Sequence, residues 1–268
     1  MWRAHQESNK IAYKALKPRN RPGITDYLRT LWAWGIFGLY LVVMYPVVLF
    51  FSFVRKPLNS ALFVQITRKW VKVILWLAGV RWKFINPQNL PRGSSYVIIS
   101  NHTSLLDIFT AALAVEDNIK GLAKKEIGEL PFLRFYFGLV SIFVDRSSSV
   151  SRQISLEKCA EALRSGHTLL IFPEGTRNRT EELLLPFRDG AFRIAIKAQC
   201  PIVPYVTPDN RFLMPMKDKI LRRGCLRIIY LEPIFTNGLR EEDVPLLRER
   251  VRDLMAQALR EAGETGIQ

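Results

Sequence analysis

Hydrophobic and polar positions divide the chain into two parts at about residue 80. Before that point the longest apolar segment is LWAWGIFGLYLVVMYPVVLFFSFV, residues 31–54, which contains no charged residue and is followed by Arg55 and Lys56. After residue 80, short apolar runs alternate with amphipathic stretches. The first pattern is typical of a helix in a membrane, and the second is typical of a layered α/β domain.

The apolar segment is long enough to cross a bilayer, because 24 helical residues rise by about 1.5 Å each against a hydrocarbon core of about 30 Å. A signal peptide is excluded, since the run is too long and no small-residue cleavage site precedes Arg55. Residues 59–79 follow as a second predicted helix, and this one is amphipathic. Its polar positions share one helical face: Gln65, Arg68, Lys69 and Lys72. We predict a membrane anchor, either a hairpin in one leaflet, with Pro46 favouring the turn, or a single span.

Beyond residue 80 the periodicity predicts alternating strands and helices. The predicted strands are 80–85, 96–100, 141–145, 168–172, 202–206 and 226–231. The predicted helices are 104–115, 150–165, 188–198 and 243–262. This alternation indicates an α/β layered domain with a mixed, mainly parallel sheet flanked by helices. The expected organisation is a basic segment at 1–30, membrane-anchoring helices at 31–79 and an α/β domain at 80–268.

The charge balance points to an anionic partner, because 39 Lys and Arg against 24 Asp and Glu give a net charge of +15. Nucleic acid, an anionic membrane and a phosphorylated substrate all satisfy this requirement. Nucleic acid is not expected, since the sequence has no helix-turn-helix, zinc or aromatic RNA-binding pattern. The three cysteines lack metal-ligand spacing, which favours free thiols over a metal site.

The turn after the strand at 96–100 carries candidate acid–base chemistry in the sequence NHTSLLD. If His102 folds back toward Asp107, the carboxylate can accept Nδ1–H and leave Nε2 as a general base. Ser104 and Asp107 also fit a capping box, in which Asp107 only stabilises the start of the following helix. The heptapeptide alone leaves both interpretations open.

A second loop, FPEGTRNRT, follows the strand at 168–172. Pro173 ends the strand, Gly175 permits close approach of a ligand to the backbone, and Arg177 offers a planar donor suited to phosphate. The alternative is a solvated surface turn. A third predicted strand, SIFVD, is followed by Arg146. Charged residues are common at strand ends, so this arginine alone does not indicate a binding site.

Taken in order, NHTSLLD, FVDR, FPEGTR and IVPYV resemble the 1-acylglycerol-3-phosphate acyltransferases, the glycerolipid family that makes phosphatidic acid. The resemblance covers residues from about 80 to 235. Thr103 departs from the Gln that members often have there, which can mark a subfamily with another acceptor. The resemblance implies that His102 is the general base and that Asp107 orients it. It also implies that the acceptor's glycerol phosphate is bound by Arg146, Glu174, Gly175, Thr176 and Arg177, with Lys124 or Lys125 of GLAKKE reaching the same phosphate.

The same resemblance implies a membrane-bound enzyme whose catalytic domain faces the cytoplasm. It would transfer an acyl group from acyl-CoA or acyl carrier protein to a lysophospholipid hydroxyl, with no covalent intermediate, no metal and no cofactor. Two alternatives remain: another acceptor, such as a lyso-ornithine lipid or a lysophospholipid with a larger headgroup, or a non-catalytic lipid-binding protein. An α/β-hydrolase would need a G-x-S-x-G elbow, which the sequence lacks.

Overall fold

The computed structural model describes residues 21–53, 60–91, 93–115, 119–145 and 149–263. Helix α1 spans Ile24–Phe53, and helix α2 spans Ser60–Leu77. Helix α1 begins seven residues before the predicted apolar segment, because the Asp26 carboxylate accepts the Gly23 N–H at 2.9 Å and caps a polar first turn. Pro46 lies inside α1, so the chain does not turn back there. Within the described ranges, α1 is the one helix long and apolar enough to cross a membrane.

The α/β domain begins directly after α2. Its strands are β1 (Val80–Ile85), β2 (Val97–Ser100), β3 (Ile119–Lys124), β4 (Ser141–Val144), β5 (Thr168–Ile171), β6 (Ile202–Val206) and β7 (Gly224–Tyr230). Its helices are α3 (Leu106–Ala114), α4 (Pro131–Val140), α5 (Ser149–Arg164), α6 (Gly190–Ala198), α7 (Asn210–Leu213) and α8 (Val244–Glu261). Hydrophobic periodicity located most of these elements to within two residues but missed β3, α4 and α7.

The seven strands form one sheet in the order β1-β7-β6-β2-β5-β3-β4. All neighbouring pairs are parallel except β6 and β7. The predicted fold class, a mixed and mainly parallel sheet flanked by helices, is therefore confirmed. The central strands β2, β5 and β6 are buried along their whole length, which explains their continuous runs of apolar residues.

Helices cover both faces of the sheet, and each face has its own apolar core. Helices α1, α2 and α3 supply one core, which includes Leu75, Leu113 and Ile98. Helices α5, α6 and α8 supply the other, which includes Leu163, Phe192 and Val251. The domain therefore has three layers, with the sheet in the middle.

Hydrogen bonds join the hydrophobic helix α1 to the α/β domain near the start and near the middle of the helix. Near its start, the Leu221 N–H donates to Thr30 Oγ1 at 2.8 Å. Near its middle, the Tyr136 hydroxyl of α4 donates to the Leu41 carbonyl. Tyr136 also belongs to a small apolar cluster with Met44 of α1 and Phe63 of α2. Helix α1 is thus attached to the domain through much of its apolar stretch.

Strand directions place the start of β1 and the end of β2 on the same side of the sheet. Strand β1 is parallel to β7, β7 is antiparallel to β6, and β6 is parallel to β2. Hence β1 begins at the edge where β2, β5 and β6 end, which we call the site edge. The loops that carry His102 and Glu174 leave from this edge, and α2 enters the sheet from it.

Candidate active site

His102 and Asp107 are in direct contact at the site edge. Nδ1 of His102 lies 2.7 Å from Oδ2 of Asp107. The carboxylate oxygen can only accept here, so Nδ1 carries a proton and Nε2 is the basic nitrogen of the neutral ring. The Asp107 side chain is 1% exposed, whereas that of His102 is 14% exposed. The buried carboxylate therefore holds the imidazole in place, while part of the ring remains accessible to solvent or substrate.

Asp107 also stabilises the start of α3. Its Oδ2 accepts the backbone N–H groups of Thr103 and Ser104 at 2.7 and 2.9 Å, and Ser104 Oγ accepts the Leu106 N–H at 3.1 Å. The two interpretations of the sequence therefore do not exclude each other. One carboxylate both closes the helix start and orients the histidine.

The second carboxylate oxygen has its own partner in α7. Asn210 donates its Nδ2–H to Asp107 Oδ1 at 2.7 Å, and the same amide lies 3.3 Å from Thr110 Oγ1. Asn210 is fully buried. Both Asp107 oxygens are thus held by donors, which prevents rotation of the carboxylate away from His102.

Glu174 connects the FPEGTR loop to the histidine turn. Its Oε1 accepts the His102 N–H at 2.7 Å, and its Oε2 accepts the Leu185 N–H at 2.9 Å. In return, the Asn178 N–H donates to the His102 carbonyl at 2.6 Å. Burial raises the pKa of the Glu174 carboxyl to about 7, against the opposing effect of these two N–H donors. The geometry supports a positioning role, and substrate binding by Glu174 stays a prediction.

A cavity of about 540 Å³ opens beside the FPEGTR loop, and we call it the loop cavity. Its charged lining residues, which we call the rim, are Asp145, Arg188, Asp189 and Arg193, and its apolar lining, which we call the wall, includes Leu122, Val144, Leu156, Ile171 and Ile194. Phe172 lines this cavity and stacks on the His102 ring, with 4.1 Å between ring centroids. The general-base candidate is therefore one aromatic ring away from the cavity.

The predicted phosphate-binding residues occupy different settings. Gly175 and Thr176 are exposed and Arg177 is half-buried. Within the described residues, the buried Nε of Arg177 has no hydrogen-bond acceptor, which fits a donor kept for a bound anion. Lys125 is exposed, and its Nζ lies 3.5 Å from Asp145 on the cavity rim. Lys124 ends β3, and Arg146 lies outside the described residues.

Comparisons with known proteins agree with this architecture. A model of the acyltransferase family matches residues 81–207. A 1-acyl-sn-glycerol-3-phosphate acyltransferase of Saccharomyces cerevisiae is 35% identical over 194 residues, covering 71% of this chain and 64% of the yeast protein. The 1-acyl-sn-glycerol-3-phosphate acyltransferase alpha of Ovis aries is 31% identical over 207 residues, covering 76% of this chain and 71% of the sheep protein.

The chain belongs to the acyltransferase family. The resemblance carried by its motifs is confirmed by these relatives, as is the prediction of an acyltransferase enzyme. The crystal structure of a 1-acyl-sn-glycerophosphate acyltransferase from Thermotoga maritima shares the fold, with a TM-score of 0.72 and 24% identity. That match covers 89% of this chain and 97% of the Thermotoga chain.

Three residues of this acyltransferase site escaped sequence reasoning. Asn210 follows the buried strand β6 in the polar run TPDN, and a polar run after a buried strand was the available signal. Phe172 ends an apolar run and looked like part of the strand. Arg188 lies against Gly175, since a Cβ on that glycine would lie 2.6 Å from Arg188 Nε. Gly175 also has φ +72°. The absence of a side chain therefore permits the left-handed backbone of the turn and leaves room for the Arg188 side chain.

Proposed function

We propose that this acyltransferase moves an acyl group from a thioester, acyl-CoA or acyl carrier protein, to the free hydroxyl of 1-acyl-glycerol-3-phosphate, giving phosphatidic acid. The observation that carries the proposal is the 2.7 Å contact of His102 Nδ1 with Asp107 beside a cavity with a polar rim and an apolar wall. The names of the yeast and sheep relatives support this choice of acceptor.

In the proposed reaction His102 Nε2 removes the hydroxyl proton as the oxygen attacks the thioester carbonyl. The tetrahedral intermediate then collapses, the C–S bond breaks, and the imidazolium returns the proton to the thiolate. Asp107 stabilises the imidazolium, since its carboxylate is ion-paired with Nδ1–H. General-base assistance of this kind is typically worth about 10²–10⁴-fold in rate. The chemistry needs neither a covalent acyl-enzyme nor a metal or cofactor.

The acceptor's phosphate would bind at the rim of the loop cavity, whose lining includes the basic side chains Arg188 and Arg193. Arg188 lies on this rim, and Lys125 contacts Asp145 there. Arg177 is not part of the cavity lining but offers the buried Nε described above, and Arg146 directly follows Asp145 in the chain. The apolar wall would hold acyl carbons. Binding the phosphate here would fix the hydroxyl near His102, which is a positioning effect.

The membrane would lie against the site edge. Helix α2 enters the sheet from this edge, and α1 packs on the domain near its start and its middle. A helix held at these two points suits a hairpin inserted into one leaflet better than an isolated span. The catalytic domain would then face the cytoplasm, at the surface where a lysophospholipid acceptor resides. Tags on the two termini that are digested from the same side of sealed vesicles would support the hairpin, whereas protection of one tag would indicate a single span.

The decisive experiment is a product analysis of the purified enzyme in vesicles. Oleoyl-CoA or acyl carrier protein would serve as donor, and the acceptors would be lysophosphatidic acid, lysophospholipids with larger headgroups and lyso-ornithine lipid. We expect phosphatidic acid from the wild type and its loss in His102→Ala. His167→Ala is a matched control, because His167 follows a turn and its ring contacts the Ala162 carbonyl at 3.3 Å, away from the candidate site.

Three outcomes would change the proposal. A dominant product other than phosphatidic acid would keep the chemistry and replace the acceptor. Equal activity of His102→Ala and the wild type would remove the general base. Lipid binding without acylation by either donor would favour the non-catalytic lipid-binding alternative.

A further inference from the structure

A second, larger concavity lies away from the catalytic residues, between the first part of α1, the end of α2 and the start of β1. Its volume is about 1370 Å³. It is lined by three arginines, Arg29, Arg81 and Arg223, and by the aromatic side chains Trp32, Trp76 and Trp82. We call it the arginine groove. None of its described lining residues also lines the loop cavity.

Two of the arginines, Arg29 and Arg223, approach each other at Gly79, and Arg81 lines the same groove. A Cβ placed on this glycine would lie 3.8 Å from Arg29 Nε and 3.8 Å from Arg223 Cγ. Arg29 forms an ion pair with Asp26. Arg81 and Arg223 are exposed, and neither forms an ion pair within the part of the chain that the structure describes. The groove therefore contains positive charge in excess of its acidic partners, and this excess is complementary to a phosphate group.

The rest of the groove is apolar and open. Leu28, Leu31, Trp32 and Trp76 are between 58% and 72% exposed. Large apolar side chains exposed together beside positive charge are uncommon on a surface that faces only water. Tryptophan is enriched where a protein meets the interface between headgroups and acyl chains. The groove thus combines a cationic end with an apolar face, as a phospholipid combines an anionic headgroup with acyl chains.

The groove opens on the side of the sheet from which the catalytic loops leave. Val80 begins β1 at the site edge, and Gly224, which follows Arg223, is its partner in β7. Strand β1 is separated from β2 by β7 and β6, a lateral distance of about 14 Å for three strand spacings. Along the strands, the start of β1 lies six residues of β7 from the level of Ser100, about 20 Å, and the loop cavity is lined by α5 and α6 on the other face of the sheet. A bilayer that covers the groove would therefore adjoin the site edge. The separation of the groove from the loop cavity allows two lipids to bind at once.

We propose that the arginine groove binds an anionic diacyl phospholipid of the bilayer, distinct from the reacting lysophospholipid. Its phosphate lies among Arg29, Arg81 and Arg223, and its chains follow the exposed apolar face of α1 and Trp76. The bound lipid holds the site edge against the membrane while the acceptor enters the loop cavity. This lipid site does not depend on the chemistry at His102. The proposal would therefore hold even if the enzyme acylates another lysophospholipid.

The test is photolabelling of the full-length enzyme in phosphatidylcholine nanodiscs. The probe is phosphatidylglycerol with a photoreactive group on an acyl chain, and peptide mapping locates the label. We expect labelling within residues 28–39 and at Trp76, competed by unlabelled phosphatidylglycerol and unchanged in His102→Ala. Substituting Arg81→Gln and Arg223→Gln should raise the competing concentration roughly fivefold for each arginine, the contribution typical of a basic side chain near an anionic bilayer.

The matched control is the double substitution Arg250→Gln and Arg260→Gln, which removes the same charge from exposed positions of α8 on the opposite face of the sheet. It should leave the labelling unchanged. If the double variant Arg81→Gln and Arg223→Gln fails to fold, the two single variants would be used for the same competition measurement. Equal labelling by a phosphatidylcholine probe, or equal loss in both double variants, would overturn the proposal. A cross-link to a second copy of the chain would instead identify the groove as a protein interface and would also overturn it.

Discussion

The turn after β2 and the turn after β5 leave the same edge of the sheet but hold their polar groups differently. In the first, Thr103, Ser104 and Asp107 are buried, and Asp107 accepts hydrogen bonds on both oxygens. In the second, Gly175 and Thr176 are exposed, and within the described residues Arg177 Nε has no acceptor. Glu174 belongs to the second turn, but its carboxylate accepts a hydrogen bond from the His102 N–H of the first.

In the proposed mechanism this difference corresponds to two functions of one site, a general base in the first turn and phosphate binding in the second. A general base must be held in one orientation before the reaction, because small displacements of reacting groups are costly. A phosphate-binding turn must instead keep donors available for a ligand that is absent from the free enzyme. Changes in the first turn should therefore affect kcat and folding, and changes in the second should affect mainly KM.

The largest effect is expected from Asp107→Asn. One amide oxygen cannot accept the donors from His102, Thr103, Ser104 and Asn210, so kcat should fall by about 10³-fold and the free energy of unfolding by about 1–3 kcal/mol. Product formation and urea unfolding would measure the two quantities. His102→Ala should lose similar activity with a smaller loss of stability. An Asp107→Asn variant as stable as the wild type would show that the network does not constrain the turn.

Glu174 gives a pH-dependent prediction. Its pKa in the folded enzyme is raised to about 7 by burial, so the folded state binds this proton more tightly than the unfolded state does. Stability should therefore fall as the pH rises from about 4.5 to about 7, by a few kcal/mol, since each pKa unit is worth about 1.4 kcal/mol. Urea unfolding across this range should show a weaker fall in Glu174→Gln. Parallel curves for the two proteins would contradict the assignment.

Asn210 tests whether the support of Asp107 matters for catalysis. Asn210→Ala should lower kcat by about tenfold, the value of one buried hydrogen bond to a charged group, and leave KM unchanged. Asn210→Asp has a distinctive signature. At low pH the two carboxyl groups can share a proton that replaces the amide donor, whereas at high pH they repel each other.

The measurement is kcat against pH for both Asn210 variants. The ratio of Asn210→Asp activity to Asn210→Ala activity should fall as the pH rises. A ratio independent of pH would mean that Asn210 acts only through packing.

The smallest effect is expected at Arg188, which lies against the exposed turn at Gly175. Arg188→Gln should raise KM for the lysophospholipid by roughly threefold to tenfold, because it removes one charge-assisted contact with phosphate. Neither kcat nor the unfolding midpoint should change. Steady-state kinetics with the acceptor varied would measure this. A loss of kcat without a change in KM would place Arg188 in the first group and erase the distinction between the turns.

The sequence allowed the fold class to be predicted because burial leaves a direct trace in composition. Strands covered on both faces, such as β2, β5 and β6, read as continuous apolar runs. Strand β3 was missed because IKGLAK contains a glycine and two lysines. Helix α4 was missed because PFLRFYFGLV is short and nearly all apolar, so its pattern did not distinguish a helix from a strand.

By itself the sequence determined the long apolar helix, the α/β alternation and the short-range pair of His102 and Asp107, since five residues at a strand-to-helix turn limit where the two side chains can lie. Only the tertiary structure decided what surrounds that pair. Asn210 and Glu174 lie 103 and 72 residues from their partners in the turn, and the three arginines of the groove come from three separate segments of the chain. Such contacts depend on strand order and on the packing of the layers, and no local spacing in the chain encodes either.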